Sequence, residues 1–342
     1  MQPKILENVP LAPFTTLEVG GPARYFTHVS SEDDIIGSFE FAKKKGLEVF
    51  ILGGGSNILV SDAGFDGLVI HVLPKGISIE DSIITGGAGE NWDRFVEYSV
   101  SKDLAGVECL SGIPGFVGGT PVQNVGAYGQ EVSETITNVR CFDREKLGFV
   151  VLNNSSCEFT YRKSIFNSSH RDRYVVVAVT YELVLGGKPK MSYKDLRDHF
   201  RAQQPTLRET RDAVLSIRRS KSMVIDPDDP NRRSAGSFFK NPVVPSQKFE
   251  EIEAEFGSIP NFPAPDGLVK IPAAWLIERS GFRKGYAHGN AGISTNHTLA
   301  IVNRGGATAK EIISLKSEIQ NTVGSRFDIF LETEPTFVGF EK

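Results

Sequence analysis

Two turns too rich in glycine to be helix or unbroken strand constrain this chain more than anything else in it: LGGGSN at 52–57 and SGIPGFVGGTPVQNVGAYG at 111–129. Each follows or interrupts apolar sequence. With no side chains in the way, backbone N–H groups in such turns can come within hydrogen-bonding distance of a pyrophosphate. A tight turn without a ligand is the plainer explanation of either cluster alone, and the pair together brings phosphate binding level with it. Neither turn reads G-x-G-x-x-G, and G-x-x-x-x-G-K-[ST] is absent, so the Rossmann and P-loop folds lose their sequence support. A different nucleotide-cofactor fold is needed.

The chain has 342 residues, more than one core usually organises, so two or three domains are expected. A net charge of −4 gives no broad basic field, and no nucleic-acid partner is expected. Cys109, Cys141 and Cys157 are odd in number and form no C-x-x-C, which fits reduced, packed thiols. The six histidines show no HExxH spacing, and no metal is expected. No stretch approaches the roughly eighteen apolar residues of a membrane span, and MQPKILENVPLAPF lacks a leader's apolar run. A cytoplasmic protein is therefore expected; separately, it is expected to be a monomer.

Local signals predict a helix from Ser31 to Gly46, with Ser31 as cap, acidic residues in the first turn and glycine as stop. Further helices are expected over 92–101, 249–256 and 273–279, and after the Thr308/Glu311 capping box. Short strands are expected at 49–52, 58–60 and 68–72. Segments 139–142 and 149–152 read as a hairpin, and Ile329 to Leu331 as a closing strand. SIRRSKSMVIDPDDPNRRSA reads as a charged connection opening a second region. Strands interleaved with helices indicate a layered α+β architecture.

At this point the chain resembles the UDP-N-acetylenolpyruvoylglucosamine reductases, flavoenzymes of bacterial cell-wall synthesis. The likeness runs through TTLEVGGPARYF, ILGGGSNILVSD, GAGENWDRFV, the second glycine turn, FTYRKSIF, AGSFFKNP, AAWLIERSGFRKG and FLETEP, in that order. It implies a three-domain FAD-binding fold of the vanillyl-alcohol-oxidase/p-cresol methylhydroxylase type with a C-terminal substrate-binding domain. The divisions expected are 1–72 and 73–217 for two FAD-binding subdomains, 218–325 for the substrate domain, and 326–342 for a strand returning to the active site. Non-covalent FAD would be held by Gly53, Gly54, Gly55, Ser56 and Asn57, by Gly112, Ile113, Pro114 and Gly115, and by Gly118, Gly119, Thr120, Asn124, Gly126 and Ala127.

The reaction the resemblance implies takes hydride from NADPH to flavin N5, then to C3 of an enolpyruvyl ether on a nucleotide sugar, and a proton to C2. Arg162 matches the family's carboxylate-binding arginine. Glu334 matches its glutamate, which beside a substrate carboxylate would have to be protonated; Glu332 is the competing assignment. Ser237 matches the proton donor to C2, while Phe238 and Phe239 fix its strand. Tyr128 would border the substrate channel. SYKDL at 192–196 resembles the longer subtype, in which Tyr193 folds over the nucleotide. Lys221 and Arg218 would meet the diphosphate, and Asn241 and His297 the nucleotide sugar. A flavin-dependent sugar oxidase is the nearest rival, although ILGGGSN lacks the histidine by which many of those tether flavin. A non-catalytic nucleotide-sugar sensor is the rival from another class.

Overall fold

The computed structural model describes residues 3–201 and 203–341. The chain divides into two compact units. One comprises Met1–Val9, Ala23–Gly55 and Asp66–Ile225, and the other Pro10–Pro22, Ser56–Phe65 and Asp226–Lys342.

The first unit is built on two larger sheets. One runs in the order Leu6–Pro10, Pro22–Val29, Phe65–Val72, Val49–Leu52, the last two strands being parallel. The other is antiparallel, in the order Gly148–Asn153, Ile136–Asp143, Tyr174–Glu182, Ile83–Gly87, Ile77–Glu80. Within it Val139 faces Leu152 and Phe142 faces Phe149, as the hairpin reading requires. Helix α1, Glu32–Lys45, begins on Ser31, whose Oγ accepts from Asp34 N while Asp34 Oδ2 accepts from Ser31 N, and ends on Gly46 at φ +64°. A cap of this kind is worth about 1 kcal/mol.

Helix α2, Trp92–Ser101, buries Trp92, Phe95, Val96 and Val100. Trp92 and Phe95 stack at 5.5 Å, and Phe95 lies 5.0 Å from Tyr181 of the antiparallel sheet. The polar atoms of this aromatic core hold the start and the middle of the second glycine turn. Trp92 Nε1 donates to Leu110 O at 3.0 Å, and Tyr181 OH and Thr120 Oγ1 are 2.7 Å apart. Two helices close this unit, α3, Lys194–Phe200, and α4, Leu207–Ser220. The reading of 216–235 as one connection misses that its start is the last turn of α4. The boundary drawn at 217 therefore cuts a helix.

The second unit packs α5, Ser246–Phe256, α6, Ala273–Arg279, and α7, Ala309–Phe327, with two three-stranded sheets around Phe238, Phe239, Leu276, Ile277, Ile312, Leu315 and Ile319. The boundary drawn at 325 falls inside α7. The closing strand is also displaced: Ile329–Leu331 joins no ladder, and the strand is Thr336–Val338, paired in parallel with Ile58–Val60. Leu331 is fully buried, but its carbonyl accepts from Gln320 Nε2 at 2.7 Å instead of from a neighbouring strand. All three cysteines are free and buried. No helix among the described residues is long and apolar enough to cross a membrane.

Candidate active site

In the first unit the strand Val49–Leu52 delivers the chain into the first glycine turn. A Cβ on Gly54 would stand 2.7 Å from Gly115 Cα and 3.2 Å from Phe116 N, so the two glycine turns meet backbone to backbone. Phe116 stacks on His71 at 6.1 Å, and His71 Nδ1 lies 3.0 Å from His28 Nδ1. Burial, with His28 adding to it, pushes the His71 imidazole down to about 4, so it is neutral near pH 7.

The second turn is fixed by an ion pair. Asp93 Oδ1 accepts from Gly112 N at 2.6 Å and from Arg211 Nη1 at 2.6 Å, and Asp93 Oδ2 from Arg211 Nη2 at 2.9 Å. Burial pushes the Asp93 carboxyl up, but these donors outweigh it and leave it below the usual range. Thr120 and Asn124 are likewise committed to the scaffold. Asn124 Nδ2 donates to Glu131 Oε2 at 2.7 Å and to Thr160 O at 3.1 Å, while its Oδ1 accepts from Ser133 N.

Gly126–Ala127 pairs with Gln130–Glu131 around a two-residue turn, Tyr128 at φ +50° and Gly129 at φ +82°, the conformation that the twist of a tight hairpin favours. Arg162 sits at φ +54° in the turn closed by Thr160 and Lys163, and its Nη1 donates to Gly126 O at 2.9 Å. A side chain in that left-handed region costs about 1 kcal/mol or more, so a function is a natural reason to look for. Tyr193 precedes α3, and its ring meets that of Tyr128 edge to face at 5.3 Å. Lys221 pairs with Asp195 at 2.8 Å. Arg218 Nη2 donates to Met223 O at 2.6 Å, but its Nε is sealed from solvent and has no hydrogen-bond partner among the described residues. Burial lowers the pKa of Arg218 and raises that of the Tyr128 phenol beside it.

The second unit gathers the other expected residues. Phe238 and Phe239 are buried and paired on both sides: Phe238 N donates to Leu299 O, Glu334 N to Phe238 O at 3.0 Å, and Lys240 N to Glu332 O. The doubled aromatic thus locks the backbone next to Ser237 and docks Glu334 on it. Ser237 is half-buried, and its hydroxyl makes no hydrogen bond among the described residues. Asn57 Nδ2 donates to Glu334 O at 3.3 Å, and Thr336 N to Asn57 O. Lys240 Nζ pairs with Glu332 Oε2 at 3.1 Å, an engagement away from the chemistry expected of Glu334. Asn241 Oδ1 accepts from Ala273 N at the start of α6, so one face of its amide is occupied. His297 Nδ1 accepts from Leu299 N at 3.1 Å. The residue units divide the expected FAD positions, with Gly53–Gly55 in the first and Ser56 and Asn57 in the second.

Sequence reading passed over Asp93, Arg211, His71 and Glu108. Glu108 carried a usable signal, a lone carboxylate in the apolar run AGVECLSGIP.

Residues 228–338 match the C-terminal domain of UDP-N-acetylenolpyruvoylglucosamine reductase, and residues 23–146 match the FAD binding domain. The Thermobifida fusca UDP-N-acetylenolpyruvoylglucosamine reductase is 45% identical, with 99% of each chain covered. The Streptomyces coelicolor protein of the same name is 41% identical over 98% of this chain and 90% of its own. The chain belongs to the UDP-N-acetylenolpyruvoylglucosamine reductase family. The crystal structure of the Thermus caldophilus reductase covers 99% of both chains at a TM-score of 0.69 and 25% identity, so fold and family agree.

A reductase of this family is an oxidoreductase with FAD as its cofactor, and the glycine turns fit that group. A Cβ on Gly53 or Gly119 would meet no protein atom within 4 Å, whereas one on Gly54, Gly118 or Gly126 would overlap neighbouring atoms at 2.6 to 2.8 Å. The first kind leaves a cradle that a methyl would fill, and the second is needed for packing. Gly53→Ala and Gly119→Ala should leave the melting temperature of the apoprotein nearly unchanged while weakening FAD retention. Gly54→Ala should destabilise the apoprotein itself by about 1 to 3 kcal/mol, as overpacking does. Thermal melting with and without added FAD separates the two.

Proposed function

We propose that this chain reduces the enolpyruvyl ether of UDP-N-acetylglucosamine to UDP-N-acetylmuramate with NADPH, supplying a peptidoglycan precursor. The observation that carries the substrate reading is the part-exposed guanidinium of Arg218 beside Tyr128, anchored through Nη2 to Met223 O. A guanidinium anchored by one nitrogen, with further donors to offer, suits an anionic ligand, and a substrate diphosphate is such a ligand. Lys221, Tyr193 and Tyr128 lie in the same unit to assist.

FAD, held by the backbone of the two glycine turns, would supply the hydride. What remains is a negative charge, delocalised from C2 of the substrate into its carboxylate. Arg162 presents a fork of donors to that carboxylate, and Glu334, in its protonated form, one more. Ser237 gives its hydroxyl proton to C2. A serine is a weak acid, but the centre it meets is strongly basic and the flanking phenylalanines hold it in place. Asn241, through the donors its contact with Ala273 leaves unused, and His297 would bind the nucleotide sugar. Kept ordered by these contacts, the substrate is the molecule's only partner in this reading, and the enzyme acts as a cytoplasmic monomer.

An anaerobic experiment tests the whole. The yellow holoenzyme should bleach with NADPH and recover its colour when the enolpyruvyl nucleotide is added. Failure to recover with that substrate, or peroxide formation with a sugar alcohol in air, would point to an oxidase instead.

A further inference from the structure

Glu108 is fully buried in the short turn Glu108–Leu110, just ahead of the second glycine turn. A carboxylate so placed is tolerable only if its lone pairs are met. Its Oε2 accepts from Gly106 N at 2.8 Å. Its Oε1 accepts from Gln130 Nε2 at 3.2 Å and from Lys190 N at 3.0 Å. Gln130 Oε1 in turn accepts from Cys109 N at 3.0 Å, and Cys109 Sγ lies 3.3 Å from Lys190 O. One oxygen therefore joins two separate segments. Gln130 follows the turn that sets Tyr128, and Lys190 leads into Tyr193. Ser192 also abuts Gly129, where a Cβ would overlap its Oγ. The exposed Lys190–Glu134 ion pair adds a second link between these segments, but pairs of that kind contribute little.

We propose that Glu108 is a positioning residue that holds the 126–131 hairpin against the 188–193 segment and so orients Tyr128 and Tyr193 as one pair toward the nucleotide-sugar substrate. This rests on the reading above that those tyrosines touch the substrate. Losing the shared acceptor leaves the Gln130 and Lys190 donors buried and unmet, and the two segments part.

Glu108→Met keeps the length of the side chain and removes both acceptor oxygens. In the holoenzyme it should speed hydrogen exchange at the Lys190 amide and raise the dissociation constant of enolpyruvyl-UDP-N-acetylglucosamine about tenfold. The affinity is read from the shift in flavin absorbance on titration. FAD content and kcat should stay near those of the parent, a KM effect without a kcat effect. Unchanged exchange at Lys190 overturns the proposal. Tyr193→Ala separates the two layers: weaker binding there with unaltered binding in Glu108→Met overturns the positioning role alone. Unaltered binding in both variants overturns the tyrosine contact, and the proposal with it. Should Glu108→Met fail to fold, Gln130→Met cuts only the link to the Tyr128 hairpin. It should weaken binding in the same sense, and parental affinity there would overturn the proposal.

Discussion

Ser237→Ala is expected to slow reduction of the enolpyruvyl nucleotide by about 10² to 10⁴-fold while NADPH still bleaches the flavin colour at close to the parental rate. The structure makes this a clean substitution. The hydroxyl makes no hydrogen bond among the described residues, so removing it orphans no donor or acceptor, and Phe238 and Phe239 keep the backbone in place. Stability should stay within about 0.5 kcal/mol, as for substitutions that disturb no buried feature. Rapid-mixing absorbance separates the two half-reactions. Equal slowing of both would reject serine as the proton donor. In deuterated water the parent should place solvent deuterium at C2 of the product, and deuterium at C3 instead would reject the assigned chemistry.

Arg162→Lys should cost about 10² to 10³-fold in the half-reaction with the enolpyruvyl nucleotide, the range for removing a donor aimed at developing charge. Arg162 already directs Nη1 to Gly126 O, and a guanidinium, with donors spread over three nitrogens, can hold that carbonyl through one and meet both oxygens of a carboxylate with the others. A lysine ammonium carries its three donors on one nitrogen and loses that planar fork. The backbone strain at φ +54° is the same for both side chains, so stability should change little. FAD content should match the parent. A colourless protein would mean that Arg162 serves the hairpin behind Gly126 and not the substrate.

Much of the fold was legible because its signals are local. Ser31, Asp34 and Gly46 mark both ends of α1 within their own few residues, and Thr308 with Glu311 opens α7 in the same way. Helix α4 had an equally local signal, the reciprocal Thr206/Glu209 box, but its basic last turn blends into the charged run that follows. The apolar Ile329–Leu331 reads as strand because burial and strand pairing leave the same composition. Only the side-chain bond from Gln320 distinguishes them. The glycine turns show the same limit at the site. Gly53 and Gly54 are neighbours of identical chemistry, yet one borders open space and the other the backbone of a turn some sixty residues on, a difference that exists only after folding. Nor could sequence order reveal that residues 10–22 and 56–65 belong with the chain beyond 226, since long-range pairing decides it.

Because Thr336–Val338 is the parallel partner of Ile58–Val60, a ribosome must deliver the chain as far as residue 338 before the second unit can close. Its early pieces, made within the first sixty-five residues, wait unpaired through the synthesis of everything between. A fragment beginning at 226 would lack the strand its own tail lies against. The lobe that carries Ser237 and Glu334 is therefore completed only once residues 336–338 have been made, when the first unit has had every residue it needs for some time.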